Sequence, residues 1–252
     1  MQAFVINLDA ATDRWAFIEK SFAGSALRLQ RVPAIDIKLL PFPHPDFSER
    51  SYRRRHGRTL NRRELACYLS HLKALRSFLD TGESHAVIGE DDIVLRADFD
   101  AVLEATMRHK NLWNIVRLSG LSAGHPLRIV RLNGAYSLCV NLGRLKGAGA
   151  YLIDRRAAET TLAHLLPMRL PYDHAIDREW FWGLRAAYIL PFPVSQTESD
   201  FLSSVQPGTH PKLSRTQRYL TTYPYQATNE VSRWLFRASY SLRLKVSILV
   251  AP

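Results

Sequence analysis

Apolar residues in this chain fall into short, β-branched runs that alternate with stretches spaced for helices. Residues 4–8 read as a first strand, and Thr12 or Asp13 starts a helix carrying Phe17, Ile18 and Phe22. Residues 29–32 form a second short strand, stopped by Pro33. Leu65, Leu69, Leu72, Leu75 and Leu79 recur at intervals of three and four, the clearest helical signal in the chain. Asn61 and Glu64 have the spacing of a capping box at its start, and Gly82 is placed to stop it. Residues 85–90 predict a central strand, 99–107 a helix and 113–118 a strand with Arg117 near its end. Residues 129–132 and 136–140 predict a hairpin across Asn133-Gly134. A strand at 148–153, helices at 155–166 and 173–182 and a strand at 187–190 complete the pattern. Strands alternating with helices predict an α/β fold with a mainly parallel central sheet. Pro41, Pro43 and Pro45 argue against regular structure in residues 39–58.

Beyond residue 200 the pattern gives way to a polar, proline-containing stretch that reads as loop. Residues 1–200 are therefore expected to form one domain and residues 201–252 a C-terminal helical extension that meets a membrane surface or an acceptor. Residues 234–250 mix aromatic, aliphatic and basic residues without a single acid. Such a helix either lies on an anionic bilayer or packs on its own domain.

Charge narrows the range of partners. The 252 residues hold 34 Lys and Arg against 23 Asp and Glu, a net charge of +11, at 46% hydrophobic content. This composition fits a globular core and an anionic partner: nucleic acid, membrane phosphate or a phosphorylated substrate. Arg53, Arg54, Arg55 and Arg58 form a dense basic cluster. Only Tyr52 is interleaved with it, so it makes a poor stacking platform for nucleic acid. Cys67 and Cys139 belong to no CxxC, which argues against a zinc site or a disulfide framework and favours two buried small hydrophobes. The N-terminus lacks the basic leader of a signal peptide, and no stretch approaches the roughly 20 apolar residues of a membrane span. A cytoplasmic location is expected.

The chemistry concentrates at Val87-Ile88-Gly89-Glu90-Asp91-Asp92-Ile93-Val94. Three carboxylates end a buried apolar run. In extended chain Glu90 and Asp92 share one face and Asp91 takes the other. Two carboxylates at a buried strand end suit a hard divalent cation with oxygen ligands, which often carries a diphosphate. The plainer alternative is an acidic strand-to-loop corner solvated by water.

Five motifs, in order over about residues 4–177, resemble glycosyltransferase family 25, which includes bacterial lipooligosaccharide galactosyltransferases and collagen galactosyltransferases. They are Val5-Ile6-Asn7-Leu8-Asp9 followed by Thr12-Asp13-Arg14, the helix Glu64-Leu65-Ala66-Cys67-Tyr68-Leu69-Ser70-His71, the acidic strand, Gly147 to Ile153, and Pro171-Tyr172-Asp173. Gly89, Ala148 and Ala150 depart from the family pattern, Gly89 standing where a bulkier apolar residue is usual. The resemblance implies a GT-A-type nucleotide-sugar-binding fold. It implies transfer of a hexose, galactose above all, from a UDP-sugar to a saccharide acceptor in lipooligosaccharide or lipopolysaccharide assembly.

On this reading Mn²⁺ or Mg²⁺ is the cofactor, held by Glu90 and Asp92, and UDP-galactose is the expected donor. Asn7, Leu8 and Arg14, at and beyond the end of the first strand, face the donor, as do Ser70, His71, Glu90, Asp91, Gly147 and Gly149. Asp173 matches the family motif and is the candidate general base of an inverting displacement, with His174 and Asp177 as rivals. The acceptor is expected to be lipid-linked, and the enzyme peripheral at the inner face of a bacterial inner membrane. Two other classes compete: a non-catalytic basic module for nucleic acid or anionic lipid on a transferase-like core, and a metal-dependent phosphohydrolase. The first has no need of the acidic trio. The second calls for two metals and more His and Asp ligands.

Overall fold

A computed structural model describes residues 1–197 and 211–250. In chain order the first half holds β1 (Gln2–Asn7), α1 (Thr12–Phe22), β2 (Arg28–Pro33), α2 (Glu49–His56), α3 (Arg62–Leu79), β3 (His85–Glu90), β4 (Ile93–Leu95), α4 (Phe99–Met107) and β5 (Ile115–Arg117). The second half holds β6 (Pro126–Arg131), β7 (Ser137–Asn141), β8 (Ala150–Asp154), α5 (Arg155–His164), α6 (Tyr172–Ile176), β9 (Ala186–Leu190), β10 (Val194–Gln196), α7 (Arg215–Gln217) and α8 (Tyr223–Val250).

Period-two alternation in the central strands builds two cores. Phe4, Ile6, Ala86, Ile88, Tyr151 and Ile153 face one side, where Leu65, Leu72 and Leu75 of α3 and Ala157 of α5 cover them. Ala3, Val5, Val87, Ala150 and Leu152 face the other, beneath Ile18 of α1 and Val102 of α4. The eight-stranded sheet has the order β2-β1-β3-β8-β5-β9-β7-β6. β1 pairs parallel with β2 and β3, and β5 with β9; β8 lies antiparallel between β3 and β5. β7 is antiparallel to both β9 and β6. All strands but β7 and β8 therefore run the same way, as the α/β pattern predicts.

This order fixes where a ligand can bind. β1 leads to β2 on one flank, and β3 leads on towards β5 on the other. Diverging connections open a crevice at the carboxyl ends of adjacent strands. Ile6 is opposite Glu90, and Gly89 is opposite Ala150. The carboxyl ends of β1 and β3 and the amino end of β8 thus share one edge of the sheet.

Three sequence expectations are corrected. Residues 39–58 are not wholly irregular: every proline there precedes Ser48, and α2 follows, anchored by the buried Tyr52 and ended by Gly57 in the left-handed region at φ +78°. The helix expected over 173–182 is two pieces, because α6 stops at Ile176 and a 3₁₀ turn covers Glu179–Trp182. Residues 215–233, read as loop, are helical: α7 runs through a π-helical turn, Arg218–Thr222, into α8. Pro224 has no N–H to donate, and it follows directly on the π-helical turn, where the regular helical ladder is already interrupted. The part of that expected loop at residues 198–210 lies outside the described residues. Among the described residues no helix is long and apolar enough to cross a membrane.

Candidate active site

β3 ends at Glu90, and Asp91-Asp92 form a turn into β4. The alternation expected for the trio therefore stops at its first member, and each acid meets different partners. Asp91 is neutralised from β1 and α1: Asn7 Nδ2 donates to Asp91 Oδ2 at 2.7 Å, and Arg14 Nη1 lies 3.1 Å from Oδ1. Asn7 is itself buried and held by Arg31, whose Nε donates to Asn7 Oδ1 at 2.9 Å and whose Nη2 donates to the Leu8 carbonyl at 3.2 Å. Leu8 thus enters through its backbone.

Glu90 Oε1 lies 3.3 Å from His71 Nε2. His71 is fully buried on α3 and stacked on Tyr172 with ring centroids 4.0 Å apart, and Tyr151 Oη lies 3.3 Å from its Nδ1. Tyr151 and Tyr172 share a hydroxyl hydrogen bond of 2.7 Å. This aromatic bracket fixes where Glu90 is met.

Asp92 has the weakest support. Gln196 Nε2 donates to both of its oxygens, at 3.2 and 3.3 Å, brought there by the β4–β10 ribbon that pairs Ile93 with Gln196. Burial, then the nearby Glu90 and Asp91 carboxylates, push Asp92 up to about 6, against a neutral amide and Arg14 that pull it down.

The glycines are explained by crowding. Gly149 has no room for a β-carbon, which would fall 2.6 Å from Gln196 Cδ, so its smallness admits the residue that holds Asp92. At Gly89 a β-carbon would come 2.6 Å from Ile93 Cδ1. The departure at Gly89 makes space for β4 to fold back. Gly147 occupies the left-handed region at φ +85°. Its N–H donates to Asp173 Oδ2 at 3.2 Å, and the His174 N–H donates to Oδ1 at 2.9 Å. Burial pushes Asp173 up, but His174, the two backbone N–H donors and Arg117 outweigh it and hold the carboxyl below its usual range. Asp173 is therefore ionised at neutral pH. Arg117 Nη2 donates to the Asp173 carbonyl at 3.3 Å, whereas Nη1 is buried with no hydrogen-bond partner among the described residues.

Residues 1–176 match the family described as "Glycosyltransferase family 25 (LPS biosynthesis protein)". The chain belongs to glycosyltransferase family 25. It is 32% identical over 120 residues to "Procollagen galactosyltransferase 1" of Danio rerio, a match spanning 42% of this chain and 18% of that protein. Likeness to solved structures is loose. The inositol-1-phosphate CTP transferase from T. maritima superposes with a TM-score of 0.38 at 10% identity, over 80% of this chain and 91% of that one. A197 from STIV gives 0.37 at 10% identity, over 75% and 81%.

In this family 25 chain the fold brings together Asn7, Arg14, His71, Glu90, Asp91 and Asp92, and links Gly147 to Asp173. Ser70 is used differently: its buried hydroxyl accepts from the Ile35 N–H at 2.8 Å and donates to the Ala66 carbonyl at 2.7 Å, tying α3 to the chain after β2. Asp177, one rival for the general base, is committed to Arg233 and Arg237. His174 is kept neutral at pH 7 chiefly by burial, against the pull of Asp173. Sequence reasoning missed Arg31, Tyr151, Tyr172 and Gln196. Tyr151 and Tyr172 lie inside matched motifs and were legible as neighbours of Gly149 and Asp173. No local signal marks Gln196, because its role depends on β10 pairing with β4.

Cys67, His71 and Glu90 offer three ligand atoms, all within 4.8 Å of one another. Burial and then Glu90 push the Cys67 thiol well above its usual range. A protonated thiol is a poor ligand, and sulfur suits softer metals than Mn²⁺ or Mg²⁺.

Proposed function

We propose that this chain is a metal-dependent transferase that moves a hexose, galactose in the first instance, from a UDP-sugar to a hydroxyl of a saccharide acceptor. The observation that carries this reading is the uneven neutralisation of the acidic trio in a family 25 chain. Asp91 is paired by Arg14 and Asn7 and Glu90 meets His71, while Asp92 rests against an amide with its carboxyl raised by burial first and by the Glu90 and Asp91 charges after it. A divalent cation held there would relieve that crowding of charge. Asp92 would be the first ligand and Glu90 the second, a small protein ligand set of the kind Mg²⁺ uses with phosphates. When bound, the cation supplies Lewis-acid stabilisation of the leaving diphosphate. The buried Nη1 of Arg117, which has no hydrogen-bond partner among the described residues, supports the same ligand, since it can donate to a phosphate oxygen.

The chain's own residues then divide the work. Asn7, Arg14 and Arg31 fix the end of β1 against Asp91 and so shape the donor side of the crevice. Asp173 receives the proton of the acceptor hydroxyl as that oxygen bonds to the anomeric carbon. The bond from the anomeric carbon to the UDP oxygen breaks, and its electron pair leaves with UDP. A carboxylate held low is ionised but weakly basic, so proton transfer falls late, as the hydroxyl becomes acidic in the transition state. Asp173→Asn is expected to lower kcat about 100-fold with little change in UDP affinity. Steady-state kinetics beside UDP titration checks this. Weakened UDP binding with an unchanged kcat would remove Asp173 as the base.

We place the reaction in lipooligosaccharide or lipopolysaccharide assembly, with a lipid-linked acceptor at a membrane surface. α8 supports that setting. Its inner face buries Asn229, Arg233, Arg237 and Ser241, while Val231, Trp234, Leu235 and Leu242 point outward, Trp234 being 52% and Leu242 66% exposed. Arg243 and Lys245 are exposed beside them. An exposed apolar stripe flanked by cations suits an anionic bilayer. Trp234→Ser/Leu235→Ser should lose co-sedimentation with vesicles containing phosphatidylglycerol, without a change in melting temperature. Retained binding would remove this face as the contact.

A further inference from the structure

A groove of about 510 Å³ lies away from the acidic trio, between α2 and the start of the C-terminal helical segment. Glu49, Arg50, Arg53 and Arg54 line one wall, and Leu213, Gln217 and Thr221 the other. Spacings of three and four put the three arginines on one face of α2, opposite the buried Tyr52 that anchors the helix. Arg53 meets Glu49 at 3.5 Å with both side chains well exposed, a contact worth little in water. Arg50 and Arg54 make no ion pair among the described residues. The groove therefore presents three guanidinium groups against one carboxylate in a concave site of ordinary ligand size.

The helix that bears the groove also borders the chemistry on its other face. His56, three residues beyond Arg53 and so about 4.5 Å further along the axis, meets the His174 ring at a centroid distance of 5.3 Å. Asp173 is the next residue. His56 packs on Tyr52 with ring centroids 5.1 Å apart, so it shares the face opposite the arginines, and a glycan whose hydroxyl reaches Asp173 has to pass round an end of α2 to set an anionic group in the groove.

We propose that the groove is an acceptor subsite that binds a phosphate or carboxylate group carried by the glycan being extended. The word acceptor rests on the transferase reading; the anion site does not. Guanidinium groups recognise both anions in a bidentate manner. Leu213, Thr221 and Gln217 add the mixed apolar and neutral polar wall that a sugar ring uses. Among the described residues the lining has no aromatic on which a nucleobase could stack.

The test is calorimetric titration with glucose 6-phosphate, inorganic phosphate and glucose. It compares the full chain with Arg50→Gln/Arg54→Gln and with Arg108→Gln/Arg156→Gln, which removes the same charge from just beyond α4 and from α5. Glucose 6-phosphate is expected to bind more tightly than phosphate or glucose. It should weaken about tenfold in the α2 variant alone. Equal affinity in all three proteins, equal weakening in both variants, or no advantage over phosphate or glucose would overturn the proposal. UDP with Mn²⁺, titrated in parallel, should bind all three proteins alike. Loss of UDP binding everywhere would remove the transferase reading while leaving the groove to be judged on glucose 6-phosphate.

Discussion

Asp92→Asn is expected to cut metal-stimulated UDP-sugar turnover about 1,000-fold and, without metal, to raise the melting temperature at neutral pH. Both effects have one cause. Three carboxylates meet at the end of a buried strand, and among the described residues Asp92 is the one left with an amide for a side-chain partner. Its carboxyl is raised to about 6 from an ordinary 3.8 by burial first and by Glu90 next. A group raised on folding binds a proton more tightly in the folded state. The metal-free protein therefore gains stability as pH falls from about 6 towards 4, and carries the full penalty above 6. Asparagine removes the penalty and flattens that slope. The same protonation weakens metal binding below about pH 6, since a cation needs the carboxylate. Melting curves between about pH 4 and pH 8, with and without Mn²⁺, separate the arms. Equal slopes and equal Mn²⁺ responses in both proteins would show that Asp92 is an ordinary solvated acid.

Arg237→Ala should destabilise the fold by about 3–5 kcal/mol, the scale for breaking a buried ion pair from one side. Arg237 is 3% exposed, and its partners Asp177 and Glu179 are 4% and 0% exposed. Its Nε and Nη2 hold both Glu179 oxygens at 2.7 and 2.8 Å, Nη2 also reaches Asp177 at 2.8 Å, and Nη1 donates to the Asn141 and Gly143 carbonyls at 2.9 Å. Arg233 lies 3.3 Å from the other Asp177 oxygen, and both guanidinium groups lie over the Trp180 ring. Truncation strands the buried Glu179 and leaves Asp177 with Arg233 alone among the described residues. It also frees both flanks of Asp173, because Asp177 follows it by one turn and Gly143 precedes Gly147. Activity should therefore fall more steeply with urea than in the parent, which paired unfolding and turnover measurements would show. A loss below about 1 kcal/mol would place the pair with surface salt bridges.

The leucine spacing of α3, the alternating strands β1 and β3 and the Asn133-Gly134 hairpin are local patterns, and sequence alone reads them. Asn61 caps α3 as its spacing suggests, its side chain accepting from the Arg63 N–H, while Glu64 accepts from the Tyr52 hydroxyl. What escaped depends on distant chain segments. The trio's alternation fails past Glu90 because β4 turns back to pair with β10, a contact between residues about 100 positions apart. α2 was hidden behind three prolines that all precede its cap. In α8 the buried face is the polar one, with Asn229, Arg233, Arg237 and Ser241 repeating every four residues. That period was visible, but its direction was not, because only Asp177 and Glu179 make a buried arginine face affordable.

The central claim is that a cation held at Asp92 presents a UDP-sugar to this crevice. Calorimetric titration of UDP-galactose and UDP into the full chain, with Mn²⁺ and with chelator, tests it most directly. Binding that requires Mn²⁺ and is lost in Asp92→Asn is the expected result. Failure of both ligands to bind with or without Mn²⁺, or binding that ignores both the cation and the substitution, would contradict it.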